Sequence, residues 1–386
     1  MSPLAEQISA AVAAVAGSDA PLHAPEIGGN EWAYVKECLD TEWVSTVGAY
    51  VDRFEAELAA YTGAKYVIAT INGTAALHAA MVLAGVEAGD EVIVPALTFI
   101  ATANAVAYCG ATPHFADADE RTLGLDPAKL DAHLSEVAKI TATGCVNKNT
   151  GRKIAAVVCV HTFGHAADLD ELAKLCDRYG LTLIEDAAES LGTYYKGRHT
   201  GNHGLLSTLS FNGNKIVTSG GGGAIMTNDE ALGKRARHLT TTAKMPHRWD
   251  YAHDEIGFNY RLPNVNAAIG VAQMEQLPDF RARKRALAER YQTAFAEIEG
   301  VRFFTEPENS DSNYWLNVLL LDDADMALRD GVLAALNETG LMSRPAWTPM
   351  HKLAMFADCP RDDLSVAESL FTQLINIPSS PRLMND

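Results

Sequence analysis

Between Tyr66 and Asp229, short apolar, β-branched runs alternate with amphipathic stretches of helix length, and that alternation leaves the chain few architectures. Strands separated by helices pair in parallel, and a parallel sheet needs helices over both of its faces. The strand candidates are YVIAT (66–70), EVIVPA (91–96), AAVVCVH (155–161), LTLIED (181–186), LSTLSF (206–211) and GAIMTN (223–228). Helices are expected over 74–86 and 168–180, the second opening on Asp168 as its cap and closing at Gly180. The polar, turn-rich stretch 136–153 reads as an exposed excursion. From Leu277 onward the pattern changes to a long charged helix followed by strand-like and helical pieces. The expected fold is α/β: a large domain over 45–276 with a mainly parallel sheet covered by helices, and a smaller α+β domain built from 1–44 and 277–386.

Composition narrows the function. A formal charge of −18 repels polyanions, so no nucleic-acid partner is expected, although backbone amides can still hold a small anion locally. The longest apolar stretches fall short of the roughly 20 residues a bilayer-spanning helix needs. No membrane span is expected. The Ala-rich start lacks a basic region ahead of its apolar part and reads as a surface helix rather than a secretory signal. Six cysteines without a C-x-x-C pair argue against a zinc site and a disulfide framework, and fit a cytoplasmic protein.

Three segments carry chemistry. In 66–80 a strand runs through Asn72-Gly73-Thr74 directly into a helix, where free N–H groups and the helix dipole favour an anion and Gly73 lets backbone approach a phosphate. A plain strand-to-helix turn has the same appearance, so the segment needs company. Company comes from Glu185-Asp186, at the end of an apolar strand, because ligands of parallel sheets bind at the carboxyl ends of strands. A strand-terminal Asp also suits a magnesium site, but no G-x-x-x-x-G-K-[ST] element precedes it. In an enzyme that uses pyridoxal phosphate (PLP), a buried Asp keeps the pyridine nitrogen protonated. The third segment, 209–229, places Lys215 in an Asn-Gly-Asn turn ahead of four consecutive glycines. Lysine is the residue that bonds carbonyl cofactors. Phosphate turn, strand-end Asp and lysine follow the order of fold type I PLP enzymes.

Over nearly its whole length the chain resembles the DegT-type sugar-nucleotide aminotransferases of the aspartate aminotransferase superfamily. NGTAAL (72–77) is similar to the family's phosphate turn, placing Gly73 and Thr74 on the phosphate, and 94–117 to the next strand and helix, where Phe99 would stack on the pyridine ring. EDAAES (185–190) resembles the ring motif, which implies Asp186 on the ring nitrogen, Ala188 against the ring face and Glu189 near the ring hydroxyl. SFNGNK (210–215) resembles the lysine motif, with Ser210 on the phosphate and Lys215 holding the cofactor. GFNYRLPNVNAAIG (257–270) resembles the segment that crosses a dimer interface, so Asn259 and Arg261 would reach the neighbour's phosphate. Two positions depart from the family: Gly221 stands where relatives carry an acidic residue, and Glu189 where Gln is frequent.

The resemblance implies a homodimeric, cytoplasmic transaminase that takes nitrogen from glutamate, passes through the pyridoxamine phosphate (PMP) form, and aminates a nucleotide-linked 4-keto-6-deoxy sugar for surface glycan biosynthesis. Similarity to the legionaminic acid and bacillosamine pathway enzymes points to UDP-4-keto-6-deoxy-N-acetylglucosamine, with a GDP-perosamine synthase-like activity as the alternative. His161, His165, Arg344, Trp347 and His351 are candidates for the sugar or diphosphate site; the competing reading of each histidine is a structural side chain. No metal role is expected, because Phe163-Gly164 between His161 and His165 breaks any common helical face. A PLP-fold protein serving as a sensor or regulator remains the rival of another class.

Overall fold

A computed structural model describes residues 2–385 of the protein. Seven strands form the main sheet: β1 (Tyr66–Thr70), β2 (Glu91–Pro95), β3 (Thr112–Ala116), β4 (Ile154–Val160), β5 (Thr182–Asp186), β6 (Leu206–Ser210) and β7 (Gly223–Thr227). Their order is β1-β7-β6-β5-β4-β2-β3, and β7 alone runs antiparallel to both neighbours. Every residue of β2 and β4 is buried, as expected of strands covered by helices on both faces. The six expected strands form within one residue of their expected ends. TPHFA, which becomes β3, went unrecognised because Pro113 and His114 break its apolar run.

The reversal of β7 has a consequence for function. Parallel strands deliver their carboxyl ends to one edge of the sheet, and an antiparallel strand delivers its beginning there. Gly221, Gly222 and Gly223 thereby arrive beside Asn72-Gly73, at the same edge as Asp186 and Ser210.

A smaller antiparallel sheet, in the order β8-β9-β11-β10, comprises β8 (Val301–Phe303), β9 (Asn317–Leu321), β10 (Arg344–Pro345) and β11 (Leu374–Ile377). The N-terminal helix Pro3–Ala16 buries Ala5, Ile8 and Val12 in the same apolar cluster as Leu287, Leu319, Val332 and Ile375.

Three local expectations are corrected. The charged helix does not begin near Leu277: one helix runs from Asn264 to Phe295 through Pro278. An interior proline costs about 3 kcal/mol, which is offset here by burial of Val271, Met274, Leu277 and Phe280 on either side. The stretch 136–153 is not a simple exposed excursion, because Ala138–Thr141 and Gly144–Asn147 pair as a hairpin. Asn147 and Thr150 turn inward and donate to the fully buried carboxylate of Glu91 at 2.9 and 2.6 Å. Finally, Asp168 occupies the cap position but makes no side-chain cap bond; its carboxylate accepts from Tyr195 and Arg121 instead.

Candidate active site

At the carboxyl edge of the main sheet lies a cavity of about 310 Å³. Its wall collects Gly73, Thr74, Phe99, Asp186, Ala188, Glu189, Ser210 and Lys215, residues that the sequence scatters over more than 140 positions. They lie at strand ends or in the segments that follow them, which is where a parallel sheet leaves backbone groups and loops free.

The phosphate end is built by backbone. Asn72 caps the helix Gly73–Leu83 by accepting from Ala75 N–H at 2.8 Å. The N–H groups of Gly73 and Thr74 remain as free donors of the first turn, beside Ser210. Packing admits no side chains here. A Cβ on Gly73 would lie 2.9 Å from Ser210 Cβ, and one on Gly223 would lie 2.5 Å from the Asn72 carbonyl carbon. The last glycine of the run therefore backs the turn at van der Waals contact, while Gly221, where an added Cβ would meet nothing within 4 Å, opens onto the cavity.

The acidic end is built by burial. Asp186, only 6% exposed, accepts from Thr102 Oγ1 at 2.9 Å and from Ala188 N–H at 3.2 Å. Burial pushes its carboxyl above the ordinary Asp range, against these two hydrogen bonds. Such a carboxylate gains most from a cationic partner in the cavity. Glu189 is raised for the same reason; one oxygen accepts from Phe163 N–H at 2.8 Å and the other stands 3.3 Å from Lys215 Nζ. Phe163 presents that N–H from a left-handed backbone, φ +57°, an unfavourable state for a bulky residue.

Glu185, the neighbour of Asp186, points to the other face and has a different role. Burial would raise its carboxyl, yet hydrogen bonds from His161, the adjacent imidazoles and backbone N–H groups at 201–204 hold it down at about 2. It fastens the loop beneath the site.

Of the five residues proposed for the sugar or diphosphate, only Trp347 reaches the cavity, where it stacks on Phe163 at 4.8 Å between centroids. His161 is fully buried: its Nδ1 accepts from Ala167 N–H, so Nε2 donates to Glu185 at 3.0 Å. His165 is packed against Phe304 and Tyr314, and burial lowers its imidazole to about 3. His351 bonds Glu368 at 2.8 Å, and the exposed Arg344 bonds Asn337 and the Ser343 carbonyl. None of the three histidines lines the cavity. Arg261 is likewise elsewhere: 7% exposed, it pairs with Glu55 of its own chain at 2.9 Å, while its neighbour Asn259 is exposed.

Two wall or support residues had no place in the sequence reading. Thr102, in the first turn of the Ala-rich helix Ala101–Tyr108, follows Thr98 by four positions and meets its hydroxyl at 3.3 Å, a polar spacing that could have flagged it. Trp315, which lies under Lys215, arrives from 100 residues away with no local signal.

This donor set suits PLP: amides for a phosphate, a buried carboxylate for a pyridinium, a lysine between them. The model of the DegT/DnrJ/EryC1/StrS aminotransferase family matches residues 25–386. The chain belongs to that family. It is 40% identical over 368 residues to the GDP-perosamine synthase of Caulobacter vibrioides, covering 94% of each chain. It is 39% identical to the putative pyridoxal phosphate-dependent aminotransferase EpsN of Bacillus subtilis, covering 95% of this chain and 92% of that one. Among solved structures, DesV of S. venezuelae, in complex with a ketimine intermediate, is 31% identical with a TM-score of 0.81, covering 92% of this chain and 90% of that one. As a member of this family the protein is a PLP-dependent sugar aminotransferase with the fold type I architecture. No helix among the described residues is long and apolar enough to cross a membrane.

Proposed function

We propose that the enzyme transfers the amino group of glutamate to C4 of a GDP-linked 4-keto-6-deoxy sugar. The observation that carries the chemistry is the convergence of Lys215, Asp186 and the Gly73-Thr74 amides on one cavity. Bound PLP supplies an electron sink. Asp186 holds the proton on the pyridine nitrogen, the Gly73, Thr74 and Ser210 groups anchor the phosphate, and Ala188 and Phe99 confine the ring. Lys215 Nζ takes a proton from the substrate carbon and returns it, with Glu189 beside it. Trp347, stacked on the buried Phe163, supplies a flat apolar wall at the sugar side.

The names of the relatives support the choice of nucleotide. Three of them, 36–40% identical over 94–95% of this chain, bear the name GDP-perosamine synthase. They favour the GDP-linked sugar, the alternative in the sequence reading, over the UDP-linked one. With glutamate as donor, 2-oxoglutarate release is expected to show kcat/KM at least ~10-fold higher for the GDP-linked than for the UDP-linked 4-keto sugar, a difference of about 1.4 kcal/mol. The opposite ratio would restore the UDP reading.

The active unit is a homodimer in which Asn259 completes the neighbour's phosphate site. Supporting this, Trp249, Tyr251 and Ile256, just before Asn259, are 69, 80 and 88% exposed, an apolar surface of the kind that partners cover. Arg261 has no part in it, being held by Glu55. Asn259→Ala is expected to lower PLP affinity about 10-fold, the scale of a lost hydrogen bond to a charged group. At limiting PLP, mixing it with Lys215→Ala should recover activity in hybrid dimers that hold one unaltered site. Demonstrated subunit exchange without recovery, or an active monomer on sedimentation, would overturn the shared site.

A further inference from the structure

Lys215 Nζ sits 3.7 Å from the centroid of the Trp315 ring, with Glu189 Oε1 3.3 Å away. Trp315 is itself 4% exposed and tightly held. Its indole N–H donates at 2.7 Å to the carbonyl of Asn214, the residue before the lysine. Its backbone N–H donates to Asn313 Oδ1 at 2.8 Å, and its carbonyl accepts from the buried Lys284 Nζ at 3.1 Å. Asn313 also donates to the carbonyls of Glu189 and Leu191, both at 2.9 Å. The short segment 313–315 therefore clamps the lysine turn and the Glu189 loop together.

We propose that Trp315 is a positioning residue whose ring face holds the released ammonium of Lys215 inside the cavity, so that the amine regains the cofactor from a fixed starting point. The inference builds on the aminotransferase reading and adds a residue to it. A cation within about 6 Å of an indole face is attracted by the ring quadrupole, most strongly where water is excluded, and the Lys215 side chain is 12% exposed. Lysine has among the largest rotamer freedom of any side chain. Without the platform its amine would spread over many positions in and outside the cavity. Recapture starts when the ammonium gives one proton to Glu189, a carboxylate whose proton affinity burial has raised. When apo-enzyme meets PLP, the neutral amine would bond to the aldehyde carbon and give up its two remaining protons as the aldehyde oxygen leaves as water; in turnover the product amine would leave in place of that oxygen, carrying the two protons. No oxidant or reductant is consumed.

The test uses apo-enzyme mixed with PLP, followed by absorbance as the covalent attachment forms; this step involves no sugar and no amino donor, so it stands apart from the choice of substrate. Trp315→Leu is expected to slow attachment about 10-fold, the scale of a desolvated cation–π contact, while the affinity for PMP, which bonds no lysine, stays within about two-fold. Trp315→Phe, which keeps a ring face but loses the bond to Asn214, should recover most of the rate. Should Trp315→Leu fail to fold, replacement of all five tryptophans by mono-, di- and trifluorotryptophan keeps size and N–H while draining negative potential from the ring face. Attachment should then slow stepwise with fluorine count, and the trend should vanish in a Trp315→Phe background, where Trp347 is still fluorinated. An unchanged rate in Trp315→Leu, an equal loss of PMP affinity, or a fluorine trend that persists without Trp315 would each overturn the proposal.

Discussion

Lys215→Ala is expected to abolish amino transfer, lowering turnover roughly 10⁴-fold or more, because covalent attachment and proton transfer both run through one amine. Among the described residues no other lysine lines the cavity. Lys284 is a buried lysine of the surrounding framework, but its Nζ is tied to the carbonyls of Trp315 and Ser379 and desolvation holds it well below the usual lysine range. The phosphate turn, Asp186 and Ala188 remain in the variant, so PLP should still bind, weakly and without a covalent bond. Lys215→Arg should fail as completely, since a guanidinium stays protonated and neither attacks a carbonyl nor accepts a proton. Borohydride reduction of the native holoenzyme followed by peptide mapping locates the attachment directly. An adduct on any other lysine would remove the basis of this assignment.

The parts of the molecule that were legible in the sequence are those whose signal is local. A strand buried on both faces must be largely apolar, so β2 and β4 announce themselves, and a strand that ends in Asp186 or leads into Asn72-Gly73 carries its chemistry at that end and on the next few residues. The order of phosphate turn, Asp and Lys, together with the crossovers of a parallel sheet, brings these groups to one edge without any further information. What failed was decided by distant partners. His161 and His165 look alike from the sequence, yet one is consumed by Glu185 and Ala167 and the other by a shell of aromatic rings. Arg261 is polar in a short turn, which suits an interface, but Glu55, some 200 positions earlier, takes it into the interior. Pro278 is a helix breaker by intrinsic propensity and is overruled by the core on either side. Trp315 belongs to a segment with no motif, and only packing places its ring beneath the lysine.

Asp186→Asn separates what this carboxylate does for the reaction from what it does for the fold. The amide has nearly the same shape: its oxygen can accept from Ala188 N–H in place of Oδ1, while its NH2, in place of Oδ2, donates to Thr102 Oγ1 rather than accepting from it. It cannot hold a proton on the pyridine nitrogen, so the electron sink weakens and turnover should fall on the order of 10²-fold or more, as when other preorganised charges are removed. Stability should move in the other direction. Burial raises the Asp186 carboxyl in the folded apo-protein above its unfolded value, so the folded state binds the proton more tightly and loses stability as pH rises from the unfolded value through the raised one. Above that window the ionised group is a net cost, and the amide removes it. Apo Asp186→Asn is therefore expected to melt at or above the native temperature at neutral pH, and to lose this contribution to the pH dependence. The native holoenzyme reverses the balance, because the pyridinium repays the buried charge: PLP should raise the melting temperature of the native protein by more than that of the variant. A variant that turns over at the native rate, or one whose apo form melts well below it, would show that the carboxylate serves mainly to hold the fold.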